Sequence, residues 1–129
     1  MILIDTSAWV EFHRDTGSDI CARVDTLLAT DIATCYPVRM EVLAGACDER
    51  QLDDLRRLLA RCILLPTEPV DYEHAAALYR ACRRSGETVR KLIDCLIAAT
   101  AIRTASAILH ADADYDVLAR HTPLQIEPA

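Results

Sequence analysis

Four segments of the sequence set carboxylates beside or at the end of apolar runs, where an acid is expensive: Ile2-Leu3-Ile4-Asp5, Met40-Glu41-Val42, Ile93-Asp94-Cys95, and Ile108-Leu109 followed by Asp112 and Asp114. Each has an ordinary reading when taken singly. Asp5 suits a helix N-cap, a role Thr6 or Ser7 could fill equally. Asp94 could simply favour a helix N-terminus, an effect worth up to about 1 kcal/mol. Glu41 alone reads as a surface residue, and the Asp112/Asp114 pair as a turn. Together they pose a different problem, because carboxylates side by side destabilise one another's charge unless a cation compensates. With no nearby lysine and no Cys/His ligand set, the expected counter-charge is a hard divalent ion. All-oxygen ligation favours Mg2+ or Mn2+ over zinc. An acidic site holding one or two such ions suits phosphodiester hydrolysis, in which the metal activates water and neutralises charge on the in-line transition state.

The elements that must position these acids are legible in the hydrophobic periodicity. Short apolar runs at 2–4, 32–36, 63–65, 107–109 and 124–126 read as strands. Helical patterns cover 8–14, 20–28, 38–44, 49–62, 70–84, 92–103 and about 116–120. The helix over 92–103 is apolar nearly all round, which marks a buried helix. Strands alternating with helices imply a three-layer α/β/α domain around a central, mostly parallel sheet of four to five strands. In such a sheet, ligands bind beyond the carboxyl ends of the strands, near the point where strand order reverses. Asp5, Asp112 and Asp114 follow strands at that edge, and Asp94 lies near the start of the buried helix.

Length and composition narrow the class. The 129 residues make one domain, 1–129, with 52% hydrophobic and 26% charged residues, which excludes a disordered chain. No apolar run approaches the roughly 20 residues of a membrane span. The N-terminus meets Asp5 without a basic leader, so it is not read as a secretory signal and a cytoplasmic location is expected. The six cysteines show no CxxC or zinc spacing and are read as reduced, mostly buried thiols. Lys and Arg total 14 against 20 Asp and Glu, for a net charge of -6, which disfavours a general polyanion binder. A negative site that is compensated on metal entry removes that objection.

The segments Met1-Ile2-Leu3-Ile4-Asp5-Thr6-Ser7-Ala8-Trp9, Val38-Arg39-Met40-Glu41-Val42-Leu43-Ala44-Gly45, Leu92-Ile93-Asp94-Cys95-Leu96-Ile97-Ala98-Ala99 and Ile108-Leu109-His110-Ala111-Asp112-Ala113-Asp114-Tyr115 resemble, in order and spacing, the motifs of PIN-domain ribonucleases, specifically the VapC toxins of bacterial toxin–antitoxin pairs. The resemblance spans the whole chain. It implies a PIN-like fold and a metal quartet of Asp5, Glu41, Asp94 and Asp112, with Asp114 as a fifth carboxylate. Thr6 or Ser7 would orient Asp5 or a water. The implied activity is that of a Mg2+- or Mn2+-dependent endoribonuclease toxin. It would cut structured RNA, such as transfer or ribosomal RNA, and inhibit growth until a VapB-type antitoxin neutralises it. A homodimer or a toxin–antitoxin hetero-oligomer is implied with it. His110 departs from the Thr or Ser common at its position and is read as support for the acids or a substrate contact.

Arg83, Arg84, Arg90 and Lys91 form a basic cluster leading up to Asp94, a candidate for holding RNA phosphates. For Arg83 and Arg84, cations at a solvated helix C-terminus are an equal reading. Trp9 and Tyr115 are expected in the core, Tyr115 beneath the acidic loop. Competing functions are a housekeeping RNA-processing nuclease without an antitoxin, a non-catalytic binding module on the same fold, and an aspartyl-phosphate protein. The last would require a second aspartate two positions after Asp5, where Ser7 stands.

Overall fold

A computed structural model describes residues 1–129. Four parallel strands, β1 (Ile2–Ile4), β2 (Ile32–Cys35), β3 (Ile63–Leu65) and β4 (Ala107–Leu109), form one sheet in the order β3-β2-β1-β4. The register pairs Leu3 with Ala33 on one side and with Ile108 on the other, and Thr34 with Leu64. The chain therefore steps outward from β1 to β3 and returns to the far side of β1 for β4. That reversal puts the topological switch point between β1 and β4, where side chains leaving the strand ends converge. Seven helices cover the sheet: α1 (Thr6–His13), α2 (Asp19–Leu27), α3 (Tyr36–Ala44), α4 (Glu49–Ala60), α5 (Pro69–Arg84), α6 (Leu92–Arg103) and α7 (Ala113–His121).

Local chemistry sets the helix ends. Asp5, Ser18, Asp48 and Asp112 are N-caps whose side chains accept backbone N–H bonds from the first turn. Pro37 and Pro69 occupy opening positions of α3 and α5, where a missing N–H costs nothing. Helix α5 ends in a left-handed turn at Gly86, with φ of 87°. The Gly86 N–H donates to the Arg83 carbonyl and the Glu87 N–H to the Cys82 carbonyl, which closes the orphan carbonyls. A Cβ there would strain the backbone, so glycine is required at this stop.

The core is continuous across both faces of the sheet, with Leu3, Ile4, Ala8, Trp9, Val24, Val38, Ile97, Ile108, Leu109 and Leu118 buried. Trp9 packs edge-on against Phe12 at 6.3 Å and belongs to the core. Helix α6 is buried on nearly every side, as its uniform apolarity predicts. It is tied to α5 by Asp71, a buried carboxylate. Asp71 accepts from Arg103 Nε at 2.8 Å, Arg103 Nη2 at 2.9 Å and Thr100 Oγ1 at 3.0 Å, and its Oδ2 caps the Glu68 N–H at 2.9 Å. The Arg103 guanidinium holds the Asp71 carboxyl below the usual aspartate range.

Two expectations shift. The run 124–126 does not become a strand: Pro123 and Pro128 flank it, and only Ile126 bridges to Ile108 in parallel. Prolines remove the donors a longer ladder needs. Helix α7 begins at Ala113, not near 116, so Asp114 and Tyr115 sit in its first turn. No helix is long and apolar enough to cross a membrane.

Candidate active site

The carboxyl ends of β1 and β4 are laced together before any site chemistry begins. The Asp5 N–H donates to the Leu109 carbonyl at 3.0 Å. Ser7 Oγ donates to Asp5 Oδ2 at 2.6 Å and accepts from the Ala111 N–H at 2.9 Å, spanning the two strand exits. The Ser7 N–H adds a second bond to the same Asp5 oxygen, so the cap and the site use one carboxylate. Ser7, not Thr6, orients Asp5. Thr6 Oγ1 instead donates to Glu41 Oε1 at 3.0 Å, which aims the α3 glutamate at the same region.

The remaining acids come from α6 and α7. Asp94, in the first turn of α6, is buried. Asp112 caps α7 and accepts the Asp114 N–H at 3.0 Å. Oxygens of Asp94, Asp112 and Asp114 lie within 4.8 Å of one another. Tyr115 joins the two groups: its hydroxyl donates to Asp5 Oδ1 at 2.7 Å and stands 3.4 Å from Asp94 Oδ1. Burial, reinforced by Asp5 and Asp94, raises the phenol well above its ordinary pKa, so it remains a donor. The sequence reading placed Tyr115 in the core, where it is, but missed this hydroxyl contact. A tyrosine directly after an acid pair at a helix start was the only signal for it.

His110 is buried beneath the acidic turn. Its Nδ1 accepts from the Asp112 N–H at 3.0 Å, its Nε2 is 3.2 Å from Asp116, and its ring lies against Tyr115. It braces the turn that carries Asp112.

An open cavity of about 380 Å³ is lined by Asp5, Thr6, Ser7, Glu41, Asp94, Lys91 and Asp112, with Val10, Glu11, Arg14, Thr16 and Ala111 completing its wall. Asp114 does not line it. Arg90 lies over that carboxylate, with Nε 3.2 Å from Oδ1 and 3.3 Å from Oδ2, and reaches Asp112 Oδ1 through Nη2 at 3.2 Å. Glu11, Arg14 and Thr16 were not singled out in the sequence, since nothing in their spacing marks them.

The expectation that no lysine neighbours the acids is overturned. Lys91 caps α6 three residues before Asp94, and its Nζ stands 3.9 Å from Asp94 Oδ2 and 3.4 Å from Asp112 Oδ2. The Asp94 carboxylate, with Asp112 adding to it, holds the ammonium above the usual lysine range. The basic cluster also divides. Arg90 and Lys91 turn onto the carboxylates, whereas Arg83 and Arg84 lie exposed at the end of α5 and do not line the cavity. Arg83 stacks over the Tyr79 ring at 5.5 Å.

Electrostatics separate the acids. Burial pushes the Asp94 carboxyl up to about 7, and Asp5, Asp112 and Asp114 add to the rise against the pull of Lys91. Burial opposes ionisation of Asp112 as well, but the Asp114 N–H, Lys91 and Arg90 outweigh it and hold that carboxyl below the usual range. Asp94 Oδ2 is buried with no hydrogen-bond partner. A buried acceptor left in this state normally signals an absent partner. The cysteines take no part: burial pushes the Cys35 and Cys95 thiols up to about 12, and neither lines the cavity.

Known proteins resemble this chain in sequence and in fold. The PIN domain family matches residues 2–121. The chain is 51% identical over 129 residues to the VapC ribonuclease Mb1587 of Mycobacterium bovis, covering 97% of this chain and 96% of that protein. Ribonuclease VapC11 of Mycobacterium tuberculosis shows the same identity and coverage. Among solved structures, DNA-bound VapBC from Salmonella typhimurium superimposes with a TM-score of 0.78 at 18% identity, covering 98% of this chain and 96% of that one. That last likeness shows the fold, and the 51% identity shows the relationship. The chain belongs to the PIN domain family, among its VapC ribonucleases.

Proposed function

We propose that this protein is a divalent-metal-dependent endoribonuclease that acts as a toxin, cleaving structured RNA such as transfer or ribosomal RNA. The observation that carries the metal reading is Asp94: a buried carboxylate with one oxygen unpartnered, lining a cavity with Asp5, Glu41 and Asp112. An all-oxygen set of this kind fits Mg2+, with Mn2+ as the close alternative. Asp5, Asp94 and Asp112 would hold the ion, with Glu41 and Asp114 completing the acidic set. Bound there, the ion supplies an activated water and charge neutralisation at the scissile phosphate.

The chain's own residues prepare that site. Ser7 fixes Asp5 through two bonds to one oxygen, and the Tyr115 hydroxyl holds the other, so the carboxylate cannot rotate. Thr6 fixes the near oxygen of Glu41. His110 and Arg90 hold the Asp112 turn from two sides. Prealigned acids of this kind avoid reorganisation during the reaction. Lys91, on the cavity wall, and Arg90, which lies over Asp114 and Asp112, would meet backbone phosphates, while Arg83 and Arg84 would act only on a longer RNA that passes the end of α5.

The relatives named VapC ribonuclease support RNA cleavage, and solved neighbours that are toxin–antitoxin complexes support control by a VapB-type antitoxin and assembly as a homodimer or toxin–antitoxin hetero-oligomer. A cytoplasmic location is the expectation that goes with that partnership. The test is expression of the chain with and without a co-expressed VapB-type antitoxin, with RNA ends mapped. Growth arrest and discrete RNA cuts are expected only without the partner. In vitro, cleavage should vanish in EDTA and return with Mg2+, and Asp94→Asn should not cleave under either condition. Full cleavage by wild type in EDTA would overturn the metal reading.

A further inference from the structure

Lys91 is the only lysine in the chain, and its position is unusual in two respects. It is the N-cap residue of α6 and makes no side-chain capping bond. A cation there opposes the positive end of the helix dipole. Its ammonium faces the two carboxylate oxygens that nothing else satisfies. Asp112 Oδ1 is taken by Arg90 and by the Asp114 N–H, which leaves Oδ2 to Lys91 at 3.4 Å. Asp94 Oδ1 lies near the Tyr115 hydroxyl, and its Oδ2 has only Lys91, at 3.9 Å.

Both separations exceed the roughly 2.7–2.9 Å of a tight charge-assisted hydrogen bond. The lysine side chain is 53% exposed and carried on a flexible four-carbon stem. Arg90 is held differently: its Nε bonds both Asp114 oxygens, its Nη2 bonds Asp112, and its own N–H reaches Asp114 Oδ2 at 3.3 Å. Of the two cations on the carboxylates, one is anchored and one is loosely placed.

We propose that Lys91 is a tethered counter-ion that occupies the divalent-ion site electrostatically, competing with the metal for Asp94 Oδ2 and Asp112 Oδ2 and swinging out to solvent when the metal enters. This rests on the reading of the acidic cavity as a metal site. Metal-free protein is then partly neutralised from within, and the divalent concentration needed to fill the site is higher than the carboxylates alone would set.

The test is Mn2+ binding to the full chain by titration calorimetry at fixed ionic strength, without RNA. K91Q and K91M are expected to bind Mn2+ about tenfold more tightly than wild type. R56Q removes an exposed charge on α4 that pairs only with Asp53, and controls for net charge with less than a twofold change. A lysine-labelled wild-type sample carries one lysine side-chain NMR signal. On Mg2+ titration that signal should move toward the position of free lysine and saturate with the binding isotherm. Equal or weaker Mn2+ binding by both variants, or a lysine signal unmoved at saturating Mg2+, overturns the competition. Absence of Mn2+ binding by wild type and by both variants instead overturns the metal site on which the proposal rests.

Discussion

Replacing Asp94 with asparagine should make the metal-free protein more stable while abolishing its cleavage of RNA. Asp94 is buried among three other acids, and its carboxyl is pushed up to about 7 from an ordinary 3.8. Between those values the folded protein keeps a proton that the unfolded chain has released. The folded state binds more protons there, so stability falls as pH rises through the window and levels off above it. Three pH units at about 1.4 kcal/mol each give a penalty of roughly 4 kcal/mol at pH 8. Asparagine does not titrate and keeps an acceptor for the Tyr115 hydroxyl. It turns an NH2 toward Lys91, which trims the gain to about 2–3 kcal/mol. For a chain of this size that corresponds to a Tm roughly 10 °C above wild type at pH 8 in EDTA. The advantage should shrink toward zero near pH 4, where wild-type Asp94 is protonated in the folded state. Thermal unfolding of both proteins across pH 4 to 8 measures the difference directly. Parallel pH profiles would refute the argument, because they would mean that Asp94 ionises without cost.

Three further outcomes follow from contacts elsewhere. Tyr115→Phe removes the donor that holds Asp5 and should lower the RNA cleavage rate at least tenfold with little change in KM, because the fold keeps its ring. Single-turnover assays separate the two parameters. Ser7→Ala cuts the bridge between the exits of β1 and β4, and should cost about 1–2 kcal/mol in urea unfolding as well as slow cleavage. Asp71→Ala leaves Thr100 and Arg103 without their buried partner, and none of the three lines the cavity. It should cost about 3–5 kcal/mol with cleavage by the remaining folded protein unchanged. Calorimetry checks the first effect and active-site-normalised rates the second.

The α/β/α layering and the convergence of acids were legible because both rest on local signals: alternating periodicities and acids at strand ends. Asp5 was ambiguous between helix cap and site residue, and Asp112 between turn and site residue; each caps a helix and also lines the cavity, so no local argument could have separated the roles. The contact of Lys91 with the acids was not foreseen because the sequence groups it with Arg83, Arg84 and Arg90. The left-handed turn at Gly86 ends α5 and starts a new direction, which splits that group physically. Its three-residue spacing from Asp94 on one helix was the better guide. The Tyr115 hydroxyl was illegible for another reason. Periodicity reports burial, but not which polar atom a buried phenol meets across a contact 110 residues long.

The pairing of β1 with β4 joins Ile2 to Ala107. Protein synthesis proceeds from the N-terminus and domains fold as their segments emerge. A nascent chain thus exposes Asp5 and Glu41 to the cell long before Asp112, and Asp94 shortly before it, all ahead of the hydroxyl that ties Asp5 toward Asp94. Until β4 docks beside β1, the Leu109 carbonyl that receives the Asp5 N–H and the Ala111 N–H that anchors Ser7 are missing as well. The connectivity therefore acts as a timer: a ribosome-bound fragment that lacks β4 has the first acids but no assembled site, and the site closes only once β4 and Tyr115 have emerged.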